Sequence, residues 1–76
     1  MDAYPNILVE HIIALNIVQR RRARELSRDE LAAAVGLLPS EILMIESGTH
    51  PVLARHLKVI ADQLDCTVDD LYRHTE

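Results

Sequence analysis

Hydrophobic residues recur at helical spacing in several stretches of the chain, and the longest stretch comes first. No glycine or proline interrupts the sequence from Asn6 to Arg24. The pattern therefore predicts one helix of roughly five turns, with Pro5 in its first turn. The first half of this helix has two apolar stripes, whereas a helix in a small monomer needs only one. The stripes are Leu8–Ile12–Leu15 and Val9–Ile13–Ile17.

The core of one copy of the chain can bury only one of the two stripes, so the other must pack against something else. We expect residues 1–15 to extend the first helix and to form a homodimer contact through Leu8, Ile12 and Leu15. The alternative is that this helix folds back against the last helix of its own chain.

Capping residues and breaks divide the middle of the chain into two short helices. Ser27 is followed three residues later by Glu30, a capping box that predicts a helix start. Gly36 predicts a left-handed turn at the end of that helix. Pro39 suits the first position of a third helix, and Gly48 ends it. The residues expected to face inward are Leu31, Ala32, Val35, Ile42 and Ile45.

Two further helices follow a short linker at residues 49–51. Asp65 is suited to the left-handed conformation at the end of the fourth helix. Thr67 and Asp70 form a weaker capping box for a short last helix through Leu71. The heptad-like apolar positions of the fourth helix are Leu53, Leu57, Ile60, Ala61 and Leu64.

Composition supports an all-α chain with one domain over residues 1–76. Two glycines and three prolines are too few for a turn-rich β domain, and aromatic residues are only 3% of the sequence. The one cysteine, Cys66, excludes an internal disulfide and fits the cytoplasm; we expect it in the core. We expect no secretory signal in the first residues, and the apolar run from Ile7 to Val18 is too short and too polar for a membrane span.

Charge is distributed unevenly along the chain. The formal net charge is −4, yet residues 20–28 contain five arginines and one glutamate. This cluster lies beside the predicted start of the second helix. An overall acidic chain is not a generic polyanion binder, so the local cluster indicates a functional basic patch.

The order and spacing of these elements resemble the phage-repressor (XRE or Cro-type) helix-turn-helix family, without a gap from about Ile13 to Leu71. The resemblance implies a five-helix, lambda-repressor-like fold with an extended N-terminal helix and a helix-turn-helix core at residues 27–48. Departures are Glu25 and Asp65 in place of frequent glycines, and a shift of Pro51 by one residue. The resemblance is carried by Leu26-Ser27, Glu30-Leu31-Ala32, Gly36, Ile42, Ile45-Glu46, Gly48, Pro51, Leu57, Ile60-Ala61, Leu64 and Leu71.

The same resemblance implies roles for individual residues. Arg21 and Glu46 are expected to form a partly buried ion pair, which removes Arg21 from DNA contact. Arg28 follows the capping serine, where the family often touches a phosphate, and a guanidinium suits that contact. The phosphate-binding residues expected are Arg20, Arg22, Arg24 and Arg28.

The third helix of the family lies in the major groove and reads bases. In this chain it has no Arg, Asn or Gln, the side chains that bind guanine or adenine through two hydrogen bonds. Ser40 can bond to a base or a phosphate, and Glu41 can accept from cytosine. The base-reading positions are Leu38, Pro39, Ser40, Glu41, Leu43, Met44 and Ser47.

Two functions are therefore open. The first is a sequence-specific, DNA-binding transcriptional regulator that acts as a homodimer on a palindromic operator, with half-sites about 34 Å apart. The alternative is a helix-turn-helix module that binds a protein partner through an apolar third helix. The partner surface would consist of Leu37, Leu38, Leu43 and Met44.

Metal binding and catalysis are not indicated. The four histidines, His11, His50, His56 and His74, show no i, i+4 pair, and Cys66 has no second cysteine nearby. No nucleophile stands near a histidine and an acid in a known pattern, and there is no phosphate-binding glycine loop. We expect no cofactor, no bound metal and no enzymatic activity.

Overall fold

Five α-helices make up the computed structural model, which describes the backbone of residues 5–73 and the side chains of residues 9–73. No strand occurs within that backbone range, and the predicted all-α, five-helix fold is confirmed. No helix in it is both long and apolar enough to cross a membrane. The helices are α1 (Pro5–Ala23), α2 (Arg28–Val35), α3 (Pro39–Glu46), α4 (Ala54–Gln63) and α5 (Val68–Tyr72).

Side-chain caps begin α2 and α5 where the sequence predicts them. The Ser27 hydroxyl accepts a hydrogen bond from the Glu30 N–H at 3.0 Å, and the Glu30 carboxylate accepts one from the Ser27 N–H at 2.8 Å. Thr67 and Asp70 form the same reciprocal pair, with both bonds at 3.0 Å. Each box satisfies backbone N–H groups that a helix start leaves without an intrahelical partner.

The helices α1, α2 and α4 end in the same way. Each is closed by a residue in the left-handed conformation: Glu25, Gly36 and Asp65, with φ of 58°, 75° and 59°. The N–H of the following residue then bonds to the carbonyl five residues earlier, at 2.9–3.1 Å. This Schellman geometry directs the following side chain back toward the core. The side chains directed inward in this way are Leu26, Leu37 and Cys66.

Two residues differ from expectation. Leu37 is predicted to be exposed, and this is wrong: it is half-buried and packs against the core, because the turn at Gly36 directs it there. Leu53 is predicted within the fourth helix, but it is the N-cap residue of α4 and is exposed. Leu53 has an extended backbone and is the last residue of the linker, so its side chain does not continue the apolar stripe of the helix.

The centre of the core receives one fully buried side chain from every helix. Burial of each such side chain contributes about 1.5–3 kcal/mol to folding. Because the five contributions converge, the helices are fixed relative to one another by a shared apolar centre. These side chains are Ile17, Leu31, Ile42, Ile60 and Leu71, each 0% exposed.

The two apolar stripes of α1 have different environments. Ile13 and Ile17 of one stripe are buried, whereas Leu15 of the other is 49% exposed and Ile12 is half-buried. The side chain of Leu8, the third residue of the predicted dimer contact, lies outside the described residues. The stripe that contains Leu15 is thus the surplus one.

The last helix packs against α1, as the alternative expectation has it. The buried Asn16 amide donates hydrogen bonds to the carbonyls of Leu71 and Arg73, each at 2.8 Å. These bonds satisfy carbonyl groups at the end of α5 that the short helix leaves unpaired. Packing of α5 nevertheless leaves Leu15 exposed.

Candidate nucleic-acid interface

The helix α3 has a buried back and an exposed front. Its back consists of Ile42, Ile45 and Glu46, which face the core and α1. Its front consists of the exposed residues Leu38, Pro39, Ser40, Leu43, Met44 and Ser47.

A charged cluster holds the back of α3. The Glu46 carboxylate, whose side chain is 2% exposed, accepts hydrogen bonds from Arg21 at 2.7 Å (Nε to Oε2) and 3.2 Å (Nη2 to Oε1). Arg21 also donates from Nη1 to the Leu26 carbonyl at 2.7 Å. The predicted partners Arg21 and Glu46 thus lie in contact. Their contact links α3 to the end of α1 and to the turn before α2.

A second arginine joins this cluster, which the sequence did not indicate. Arg28 Nε donates to Glu46 Oε1 at 2.8 Å, and the Arg28 side chain remains 45% exposed. Glu46 therefore holds a guanidinium at the first position of α2, next to α3. Two arginines against one carboxylate leave a net positive charge, and the exposed part of that charge lies on Arg28.

The other arginines of the basic cluster do not gather at one point. Arg22, in the last turn of α1, and Arg24, just after the helix, are both exposed. Arg20 is half-buried and lies near α5. Hydrogen bonds from Thr67 lower the pKa of the Asp70 carboxyl, and the charge of Arg20 lowers it further.

Cys66 lies on the same side of the molecule. Burial raises the pKa of its thiol, and Arg20 opposes that shift. The predicted phosphate-binding set is thus divided, with Arg20 facing α5 and Arg28 beside α3.

The front of α3 is apolar in its larger side chains. Leu38 is 63% exposed, Leu43 52% and Met44 45%. A polar protein surface ordinarily scatters such residues singly, whereas here they share one short helix and the residue before it. The front therefore combines three large exposed apolar side chains with the small polar side chains of Ser40 and Ser47.

Two polar side chains around this surface already have partners. Glu41, half-buried at the flank of α3, accepts a hydrogen bond from the Leu38 N–H at 2.8 Å, and this fixes the first turn of the helix. The Ser47 hydroxyl donates to the Met44 carbonyl at 2.5 Å and lies 2.9 Å from the Thr49 hydroxyl. These bonds hold both side chains in place, while the second carboxylate oxygen of Glu41 and the hydroxyl oxygen of Ser47 can still accept a hydrogen bond.

A groove of about 340 Å³ runs between α3 and the segment that precedes α4. Sequence reasoning missed it, because it depends on how the linker around Pro51 folds back beside α3. Its walls are mostly apolar, and they include His50 and His56. Among the described residues no group of three or more His, Cys, Asp or Glu could hold a metal ion. The lining is Glu41, Met44, Ile45, His50, Pro51, Val52, Leu53 and His56.

Comparison with known proteins agrees with this arrangement. The model of the HTH_3 helix-turn-helix family matches residues 17–71, which is more than half of the chain. That segment contains the end of α1, the α2–α3 pair and the helices that pack behind it. None of the curated protein sequences matches the chain.

Solved structures show the same fold. An HTH_3 family transcriptional regulator from Vibrio cholerae superposes with a TM-score of 0.80 at 24% identity, over 88% of this chain and 38% of that one. CoII HppE in complex with its substrate superposes with a TM-score of 0.78 at 21% identity, over 86% of this chain and 36% of that one. The chain thus spans little more than a third of the length of either protein. At these identities the likeness concerns the fold.

Proposed function

The chain belongs to the HTH_3 helix-turn-helix family, and from this premise we propose that it is an XRE-type transcriptional regulator that binds duplex DNA sequence-specifically as a homodimer on a palindromic operator. The observation that carries the proposal is the position of Arg28. Glu46 holds its guanidinium at the start of α2, directly beside the exposed front of α3. We also propose that the protein is not an enzyme and that it is located in the cytoplasm.

The proposed docking places α3 in the major groove. An eight-residue helix is about 12 Å long, and the groove of B-form DNA, about 12 Å wide, admits a helix with its side chains. The front of α3 then faces the base edges, and Glu41 and Ser47 lie at its margins. Residues 27–48 act as the DNA-binding core of a single domain over residues 1–76.

Arg28 is the proposed phosphate contact nearest to α3. The start of a helix also favours an anion, because its first N–H groups point outward. Arg22 and Arg24 are exposed and suit more distant phosphates. Arg20 is the weakest member of the set, since it is half-buried and its charge already acts on the Asp70 carboxyl, whose pKa it helps to lower.

The proposed dimer contact is the surplus stripe of α1. Exposure of Leu15 and partial exposure of Ile12 support it, because pairing with a second copy would remove both from water. Leu8 belongs to the same stripe by sequence. A two-fold axis near this stripe would present two copies of α3 to half-sites about one helical turn apart.

Selection of duplexes from a random library at low salt tests the proposal. Enrichment of a palindromic sequence is expected. Affinity for that sequence should fall steeply with salt, with a log–log slope of roughly −0.9 per phosphate contact. Arg28→Ala should weaken binding to all duplexes and reduce the slope by about one.

Lys58→Ala is the matched control, because it removes an exposed positive charge on α4 that is paired with Asp62. Thermal unfolding of both variants confirms that they are folded under the binding conditions. If Arg28→Ala leaves affinity at low salt unchanged, Arg28 does not bind phosphate.

A second candidate function is favoured by the apolar front of α3. Leu38, Leu43 and Met44 offer a surface that a helix of a partner protein could cover. Binding of that kind should depend little on salt and be insensitive to Arg28→Ala. Absence of any enriched duplex, together with loss of partner binding in Met44→Ala, would favour this function over the first.

A further inference from the structure

The front of α3 offers few side-chain hydrogen-bond donors to a base, and its larger exposed side chains are apolar. Glu41 is engaged with the Leu38 N–H, and Ser47 is engaged with the Met44 carbonyl and Thr49. Within the described residues, the Ser40 hydroxyl is the one polar side-chain group on this face that makes no hydrogen bond. The remaining exposed side chains of the face are aliphatic or a thioether.

Base edges in the major groove are mostly donors and acceptors, and these are costly to cover with apolar groups. A polar group that is buried without a hydrogen-bond partner loses its bonds to water and gains nothing in return. Thymine differs, because its C5-methyl group is an apolar feature of the groove that gains from contact with another apolar group. Leu43 and Met44 therefore favour a duplex that places methyl groups beneath them and disfavour bare donors and acceptors.

We propose that α3 selects duplexes by the C5-methyl groups of pyrimidines in the major groove, with Leu43 and Met44 as the specificity-determining residues. This proposal rests on the proposed DNA-binding function and names the chemistry that its site recognises. Two bases carry the group: thymine, and cytosine methylated at C5. Leu43 and Met44 can contact the methyl group of either base, and the experiment below distinguishes thymine from methylcytosine.

The structure supports Leu43 and Met44 over other apolar residues. They are consecutive, both about half exposed, and lie in the second turn of α3, away from the Leu38 N–H that Glu41 engages. The thioether chain of Met44 is flexible and adapts to a methyl group at a range of positions. Its location at the rim of the groove beside α4 gives it space to do so.

The test uses the palindromic duplex obtained by selection and replaces its thymines by deoxyuridine, one half-site position at a time. Uracil keeps every hydrogen-bonding group of thymine and lacks only the methyl. At the positions under α3, each replacement should weaken binding by about fourfold, which corresponds to about 0.8 kcal/mol for one buried methyl. Replacement at positions outside the α3 footprint should have no effect.

A second arm identifies the source of the methyl group. At a sensitive position, the thymine–adenine pair is changed to cytosine–guanine with and without a methyl at C5. If methylcytosine restores a large part of the lost affinity relative to cytosine, methylated cytosine is a ligand of the site as well. If it restores none while deoxyuridine weakens binding, the site reads thymine alone.

Protein variants assign the effect to residues. Leu43→Ala and Met44→Ala should bind the thymine and deoxyuridine duplexes with nearly equal affinity. Val59→Ala, which shortens an exposed apolar side chain on α4, should keep the full difference. Arg28→Ala should weaken binding to both duplexes by the same factor, because a phosphate contact does not sense the base.

Equal affinity of the unaltered protein for thymine and deoxyuridine duplexes would overturn methyl recognition and leave DNA binding intact. A difference that persists in both Leu43→Ala and Met44→Ala would overturn the assignment to these residues. Failure of any duplex to be enriched at low salt would overturn the DNA-binding function, and methyl recognition with it.

Discussion

The back and the front of α3 each have side chains in an unusual place: a carboxylate is buried beside Ile42 and Ile45 on the back, and large apolar side chains are exposed on the front. On the back, the Glu46 carboxylate is almost completely buried between two guanidinium groups. On the front, Leu43 and Met44 are about half exposed to water. Charged residues are ordinarily outside and large apolar residues inside. We therefore expect the buried carboxylate and the exposed apolar side chains to contribute something other than stability.

The two departures serve different tasks. A buried ion pair is weak evidence for added stability, because desolvation of the charges offsets their attraction, but it is demanding in geometry. Glu46 thus fixes where α3 and Arg28 lie. The exposed side chains of the front contribute little to the packing of the fold, so a bound ligand can determine which residues are required there. Under the proposed function, the back of α3 would set the orientation of the helix and the front would set its specificity.

The largest expected effect is on the back. Glu46→Ala leaves the Arg21 guanidinium buried without its carboxylate and should lower the free energy of unfolding by about 3–5 kcal/mol. Urea denaturation followed by circular dichroism measures this loss. In a domain of this size such a loss approaches the whole stability.

The matched control is the exposed ion pair between Lys58 and Asp62 on α4, whose side chains are 67% and 63% exposed. Asp62→Ala should change the free energy of unfolding by about 0.5 kcal/mol or less. A Glu46→Ala variant no less stable than Asp62→Ala would contradict the role assigned to the buried cluster.

An intermediate effect is expected at the end of α3. Gly48 has φ of 76°, and a Cβ there would lie 2.6 Å from His11 Cδ2 and 3.4 Å from the His11 Cα. At Gly36, with φ of 75°, nothing lies within 4 Å of such an atom. Gly36→Ala therefore isolates the left-handed penalty of about 1–2 kcal/mol. Gly48→Ala should cost roughly 1 kcal/mol more, because the His11 side chain must rotate away and its backbone in α1 must shift slightly.

Thermal unfolding of the two alanine variants side by side gives this difference. Equal loss in both would mean that α1 adjusts freely behind α3, and that the back of the helix is less rigid than its contacts indicate.

The smallest effect on stability is expected at the front. Leu43→Ser and Met44→Ser should each lower the free energy of unfolding by about 1 kcal/mol or less, because both side chains are already about half exposed. DNA affinity at moderate salt should fall in both variants, as measured by fluorescence anisotropy. A large loss of stability with unchanged affinity would reverse the assignments of front and back.

Local chemistry made much of the fold predictable. The caps at Ser27 and Thr67 and the left-handed turns at Gly36 and Asp65 depend on residues close in sequence, so their signals can be read directly. These caps and turns mark where each helix begins or ends, and the order of the helices follows from them. The resemblance to the helix-turn-helix family supplied the expected partner of Arg21, which composition alone would not have named.

Features that depend on distant residues were not predictable in the same way. The contact of Arg28 with Glu46 joins positions 18 residues apart, and nothing in the spacing distinguishes Arg28 from its neighbours. Leu37 was misplaced because an apolar residue after a glycine can face outward or inward, and the Schellman bond decides which. The groove beside α3 depends on a linker path that no periodic pattern encodes.

The Asn16 amide has a consequence for how the chain reaches its final structure. Its two acceptors are 55 and 57 residues away in sequence, so the carbonyls that close α5 find a donor only after the first and last helices have met. Contacts this distant require closure of a long loop before they give any gain. We therefore expect the five-residue α5 to form late in folding and to be lost as one unit when α1 detaches, with amide hydrogens that exchange together.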